Sequence, residues 1–282
     1  MMADKTAQSR LQALAVAPDD EVPLAEGALL ISAWRNPGLE VARYLSQIDA
    51  LVAAIAPLLP DDRSLASSTL AINQHLFTDV GFCGNTDDYA DVRNSFLNEV
   101  LERKLGIPIT LSVLYIEVAQ KLGLPACGIS FPGHFLVRLG GRDGAIVIDP
   151  FFSGLSLSEA ELVERMRRFV PDKGQAREAL NTVLHGAPNK EILSRMLRNL
   201  RALYVNDNDL EAALAVADQI VAFSPADPMA VRERAELYFQ LEVPHAARAD
   251  YRRYLELAPD AGDAANVRER LVLLERTANR LN

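Results

Sequence analysis

The chain is poor in the residues that most often carry covalent or metal chemistry. Its 282 residues include two cysteines, one tryptophan and four histidines. Cys83 and Cys127 cannot build a disulfide framework and fit a reducing compartment, so a cytoplasmic location is expected. His75, His134, His185 and His245 are scattered, and no CxxC or HExxH spacing occurs, so neither a metal nor a cofactor is expected. No uninterrupted apolar run reaches the roughly 18 residues of a membrane span, and the first residues lack the apolar core of a signal peptide. Positive charge is in deficit as well. There are 29 basic against 38 acidic residues, a net of −9, which removes the phosphate attraction of nucleic-acid binders and disfavours anionic membranes. What remains is 49% hydrophobic and 24% charged, an ordinary globular composition with length for one large domain or two.

The C-terminal third contains an internal repeat. The segment LYVNDNDLEAALAVADQIVAFSPADP (203–228) aligns with LYFQLEVPHAARADYRRYLELAPDAG (237–262). Leu203 matches Leu237, Tyr204 matches Tyr238, Ala212 and Ala213 match Ala246 and Ala247, and Pro225 matches Pro259, always at an offset of 34 residues. That is the period of tetratricopeptide repeats: an aromatic fills the space between paired helices, small residues allow close approach and a proline ends the second helix. Val267, Leu271 and Leu274 then mark a capping helix. Domains are placed at 1–180 and 185–282. Residues 1–184 carry −7 of the net −9, so the repeats are mixed in sign and suit a protein or peptide partner.

The first domain begins with helical spacing over 39–59 and 62–77, followed by a loop rich in Gly, Asn and Asp at 80–94. A helix near 95–105 is expected, with Asn94 or Ser95 as its cap and Asp87 or Asp91 as a partner for Arg103. The segment 106–125 follows. Pro108 suits its first turn and Gly123 its end, and with only Glu117 and Lys121 charged between them it must be buried.

The period then changes to two. In HFLVRL (134–139) His134, Leu136 and Arg138 share a face, and in GAIVID (144–149) Val147 and Asp149 share one. With GGRD as the hairpin turn, Leu139 pairs with Gly144 and His134 lies opposite Asp149. A histidine beside a carboxylate is either a structural pair or the base and orienter of a nucleophile site.

These segments resemble the transglutaminase-like superfamily, whose papain-like sites use Cys, His and Asp in that order. More narrowly, NSFLNEVLERKLGIPITLSVLYIEVAQKLGLP (94–125), FPGHFLVRL (131–139) and IDPFFSG (148–154), followed by tetratricopeptide repeats, resemble the bacterial SirB family over roughly residues 35–280. The resemblance assigns His134 to the catalytic-type histidine and Asp149 to the aspartate. The superfamily's cysteine opens the buried helix as G-x-C, with a G-[IL]-P turn 15 residues after it. Counting back from Gly123 reaches Pro108, which has no nucleophile.

The expected fold is therefore α+β: a transglutaminase-like domain with a helical N-terminal lobe and a small antiparallel sheet, then an all-α repeat array. The favoured function is a non-catalytic regulatory or scaffolding protein that docks partners through its repeats. The alternative is a cysteine or serine hydrolase or acyl transferase in which Cys83 or Ser112 serves His134 and Asp149 as a relocated nucleophile. A third reading makes the first domain purely structural. Thr110 and Ser112 fit hydroxyls bonded within a buried helix, and Cys127 fits packing at a strand start. Asn94, Ser95, Asn98, Glu102, Arg103, Ser112 and Tyr89 are candidates for a cleft rim. Tyr115 is either a cleft or a core residue, and Trp34 is expected to anchor the first helices.

Overall fold

The computed structural model describes residues 2–141 and 144–278. The chain forms two compact units, Met1–Leu11 with Ala17–Met196 and Gln12–Val16 with Leu197–Asn282. The expected division at 180–185 falls at the end of the helix Lys173–Val183, whereas the units separate between Met196 and Leu197, inside the helix that follows.

Three helices open the chain: α1 (Met2–Val16), α2 (Leu24–Arg35) and α3 (Val41–Ile55). On α3, Val41, Tyr44, Ile48 and Ile55 are buried, the spacing of one helical face. By length and composition alone, Val41–Leu58 would suffice to cross a bilayer, although Arg43 and Asp49 interrupt its apolar run. Its one-sided burial and the Asp49–Lys121 ion pair at 2.9 Å are those of an amphipathic helix laid on a protein core.

Next come α4 (Leu65–Asn73), a π-helical turn at Gln74–Asp79, β1 (Cys83–Gly84), α5 (Leu97–Arg103), β2 (Leu105–Gly106) and α6 (Pro108–Lys121). The two short strands pair in parallel, Cys83 with Leu105 and Gly84 with Gly106. Pro108 occupies the first turn of α6, where its missing N–H costs nothing. Of the helix's 14 residues only Glu117, Gln120 and Lys121 escape burial. Gly123 (φ +84°) closes it in the left-handed conformation that favours glycine. Each large aliphatic side chain fully buried here contributes about 1.5–3 kcal/mol.

Around α6 lies a four-stranded antiparallel sheet in chain order: β3 (Ala126–Ile129), β4 (Leu136–Gly141), β5 (Gly144–Asp149) and β6 (Leu155–Leu157). Pairing of β4 with β5 runs Gly141 to Gly144, Leu139 to Ile146 and Val137 to Ile148. The expected register, Leu139 with Gly144, is therefore displaced by two residues, because Gly140 and Gly141 continue β4. Of the expected GGRD turn, Arg142 and Asp143 lie outside the described residues. A slip of two preserves which face each side chain takes. Leu136, Val147 and Leu157 pack with Leu162 and Met166 of α7 (Glu159–Met166) and Leu180 of α8 (Lys173–Val183). Then comes α9 (Asn189–Asn206), within which the two units divide.

The second unit continues with α10 (Leu210–Phe223), α11 (Pro228–Gln240), α12 (Pro244–Leu257) and α13 (Ala264–Ala278). Helix α12 begins and ends 34 residues after α10, the period of the aligned segments. Ala213 and Ala247 are fully buried, so the helices approach closely there. Tyr251, Tyr254 and Val267 form the core with Val231 and Ala235, and Leu271 and Leu274 of α13 pack against it.

Candidate functional site

His134 is not in a strand. It precedes β4, in a turn where its N–H donates to the Phe131 carbonyl at 3.1 Å. Extended by one residue past Val137 and Ile148, the β4–β5 register sets Asp149 opposite Leu136, making His134 the diagonal neighbour of Asp149 on the same face. Diagonal positions are some 7–8 Å apart at the backbone, within reach of long side chains. The imidazole bridges the gap: Nε2 is 2.9 Å from both carboxylate oxygens of Asp149. Asp149 is fully buried, and its Oδ2 also lies 3.4 Å from Nη1 of Arg165 on α7. Burying a carboxylate is costly unless it is paired, and here two donors meet it.

Aromatic rings frame the imidazole. Phe151 meets it edge-on and Phe152 stacks on it, each with a centroid separation of 6.2 Å. Arg195, from the N-terminal half of α9, donates to the carbonyls of Phe131 at 3.1 Å and His134 at 2.7 Å and to Ser130 Oγ at 2.8 Å. It also covers the Phe135 ring. Sequence reading missed Arg195 and Arg165 because both are some tens of residues from the HFLVRL segment on helices with no motif of their own.

The nucleophile candidates are placed differently. Pro108 is buried at the start of α6. Cys83 is a half-buried free thiol in β1, and its neighbour Gly84 packs directly on Phe151: a Cβ there would lie 2.6 Å from the ring. Ser112 is fully buried in α6, and its hydroxyl has no hydrogen-bond partner. Among the described residues, the only side-chain hydrogen-bond partner of the His134 ring is Asp149, through Nε2. Cys127 is half-buried, its sulfur accepting from Arg138 Nε at 3.3 Å, so it packs at the margin of the core.

The polar residues before α6 hold a loop. Neither Asn94 nor Ser95 caps α5; Phe96 occupies the N-cap position without a side-chain cap. Asn94, fully buried, instead accepts from Asn85 Nδ2 at 3.1 Å and from Arg103 Nη1 at 3.4 Å, and donates to the Asp88 carbonyl at 2.8 Å. Asn94 was misplaced because a cap and a loop clamp share one signal, an Asn before an apolar run. Arg103 pairs with Asp91 at 3.0 Å, not Asp87. The hydrogen bond from Arg93, assisted by the Arg103 charge, holds Asp91 below the usual carboxylate range. Thr110 Oγ1 donates to the Asn94 carbonyl at 2.8 Å.

Glu102 accepts from Tyr44, and Asn98 is buried with its Oδ1 unpartnered. The buried hydroxyl of Ser95 is likewise unpartnered. Tyr115 is a core residue; its hydroxyl donates to Asn73 at 2.9 Å, Asn73 donates on to the Gly154 carbonyl, and burial pushes the phenol up. Tyr89 remains about half exposed, edge-on to Phe151. Of the candidates, then, Tyr89 meets the aromatic frame of His134 at Phe151, Cys83 is one residue from Gly84, which packs on the same ring, and Asn94, Arg103 and Thr110 brace the loop that carries Tyr89.

A buried helix leading into a four-stranded antiparallel sheet, with a His–Asp pair at one end of the two central strands, defines a class. A family model of the transglutaminase-like superfamily matches residues 42–198, and one of the tetratricopeptide repeat matches residues 200–272. Over 259 residues, 92% of either chain, this protein is 41% identical to a UPF0162 protein of Xylella fastidiosa. It is 34% identical to a UPF0162 protein of Pseudomonas aeruginosa, over 88% of this chain and 89% of that one. With SirB1 of Salmonella typhimurium it shares 25% identity over 86% of this chain and 88% of that one. The chain belongs to the transglutaminase-like superfamily and, within it, to the family of SirB1 and the UPF0162 proteins. No solved structure matches it.

Proposed function

We propose that this protein is a non-catalytic member of the transglutaminase-like superfamily, acting as a regulatory or scaffolding module that docks a protein or peptide through its tetratricopeptide repeats. The observation that carries the first half is the state of His134. Its Nε2 is held by both oxygens of Asp149, as an orienting aspartate holds a base, yet no thiol or hydroxyl among the described residues hydrogen-bonds to the ring. Pro108 stands where the superfamily pattern has cysteine, and proline offers neither lone pair nor proton for nucleophilic attack. The Cys83 or Ser112 alternative draws no hydrogen bond to His134 in its favour. The second half rests on the repeat class, whose stacked helices present surfaces for extended or helical peptides. A cytoplasmic site of action goes with this reading, supported by two free thiols.

A thiol-directed electrophilic probe tests the catalytic status. The expected result is slow labelling of Cys83 that is the same in wild type and in His134→Ala. Rapid labelling abolished by His134→Ala would restore the enzyme. For docking, proteins recovered with the full chain are compared with those recovered by Tyr251→Asp, which breaks the repeat core. Their loss is expected, and retention of every partner would count against the repeats.

A further inference from the structure

Two phenylalanines of the first unit stand open to solvent beside the His–Asp pair. Phe152 is 52% exposed and Phe169 is 54% exposed. They line a pocket of about 350 Å³ with Phe131, His134, Arg165 and Arg168. Gly133 (φ +68°) lets Phe169 lean over the 131–134 turn: a Cβ there would sit 3.2 Å from its ring.

The charge of this pocket runs against its surroundings. Residues 1–184 sum to −7, yet no acidic side chain lines the pocket. Asp149, the carboxylate that the lining residues His134 and Arg165 share, is fully buried and already engaged by both. Neighbouring arginines are neutralised: Arg167 pairs with Glu164 at 2.9 Å, and Arg177 pairs with Glu159. Arg168 makes no side-chain hydrogen bond or ion pair among the described residues. An unpaired guanidinium beside two exposed aromatic rings is the chemistry of an anion site with apolar walls.

We infer that this pocket receives the carboxylate of an acidic peptide, with Arg168 as the principal anion contact and Phe152 and Phe169 holding the adjacent apolar side chain. The planar guanidinium fork matches a planar carboxylate, and aromatic faces supply contact area at little conformational cost. Arg165 adds charge while remaining tied to Asp149, so the His–Asp pair serves as the floor of a receptor. This inference deepens the non-catalytic reading and rests on it.

Three probes separate the sources of the carboxylate: N-acetyl-Phe-Glu-amide carries it on a side chain, N-acetyl-Ala-Phe on the chain terminus, and N-acetyl-Ala-Phe-amide lacks it. Each is titrated against the full-length protein by ligand-observed NMR, with inorganic phosphate as a fourth probe. One or both carboxylate peptides are expected to bind at least about tenfold more tightly than the amide, which for an arginine contact is about 1.4 kcal/mol. That advantage disappears in Arg168→Gln, and Phe169→Ser weakens all three peptides. Both substituted residues are exposed, so the fold does not depend on them. Equal affinity for acid and amide, an advantage that survives Arg168→Gln, or tighter binding of phosphate than of either peptide would overturn the inference alone. Cleavage of a probe, read by mass spectrometry of the same samples, would overturn the non-catalytic reading and this inference with it.

Discussion

Each unit buries a charged group, and the two do it in opposite ways. In the repeats, Arg234 faces two carboxylates: Nε lies 2.7 Å from Asp250 and Nη1 lies 3.1 Å from Asp218. One cation serves two anions, all on helices of the same array. In the transglutaminase-like unit the ratio is reversed. One carboxylate, Asp149, serves both His134 and Arg165. The repeat cluster ties helices together, with Tyr238 adding its hydroxyl near Asp218. The Asp149 cluster has donor groups to spare, and they line a pocket. Buried charge thus ties helices together in one region and lines a pocket in the other.

The strongest test of the scaffold side is Tyr251→Ala. The ring is fully buried among Val231, Ala235, Ala247 and Val267. Its loss should cost the repeats about 3–5 kcal/mol. Hydrogen exchange followed by mass spectrometry should show this loss in α11–α13, with the sheet of the first unit unchanged. Equal loosening of the sheet would erase the distinction between the two regions.

Asp149→Ala probes the other side. It strips both His134 and Arg165 of their partner, and because those side chains are partly exposed the cost should be modest, about 1–3 kcal/mol. Trp34, the single tryptophan, reports unfolding of the first unit by fluorescence. A loss below measurement error would mean that the carboxylate is not holding the pocket floor.

A smaller effect, about 1 kcal/mol, is expected for Ser158→Ala. The Ser158 hydroxyl accepts from the Glu161 N–H at 3.3 Å and caps α7, the helix carrying Arg165. Exchange should quicken in the first turn of α7 and leave α10 untouched.

The smallest effect, on the pH slope of stability, separates the units by sign. Asp91 is held low chiefly by its hydrogen bond from Arg93, so its stabilisation is complete above the ordinary carboxylate value of about 4 and is lost as pH falls below it. Burial raises Asp218, so its contribution is complete below that value and is lost as pH rises through its own, higher one. Asp91→Asn should therefore flatten the acid limb of the first unit's denaturation midpoint, and Asp218→Asn should flatten the fall just above pH 4 in the repeats. Slopes of the same sign in both units would break the comparison.

Elements with a period of their own were legible in the chain. The 34-residue offset placed α10 and α12, and the apolar density of 106–125 flanked by Pro108 and Gly123 announced the buried α6. The His134–Asp149 pairing followed from alternation, although the register was two residues out, because glycines give no face to read and Gly140 and Gly141 looked like turn. Parity survived the slip, so the residues met diagonally. Asn94 shows the opposite case: its identity was noted, but its role as loop clamp depends on Asn85, Asp88 and Arg103 arriving from three directions.

By itself, then, the sequence determined the class of fold, the repeat and the absence of a thiol at residue 108, because periodicity and residue identity are local properties of the chain. Only the tertiary structure decided that Arg165 shares Asp149 with the histidine, that Arg195 braces the turn carrying it, and that Arg168, Phe152 and Phe169 open beside it. Those side chains converge from helices and turns with no shared spacing. A pocket is a property of atoms brought together in space, which no single-chain pattern encodes.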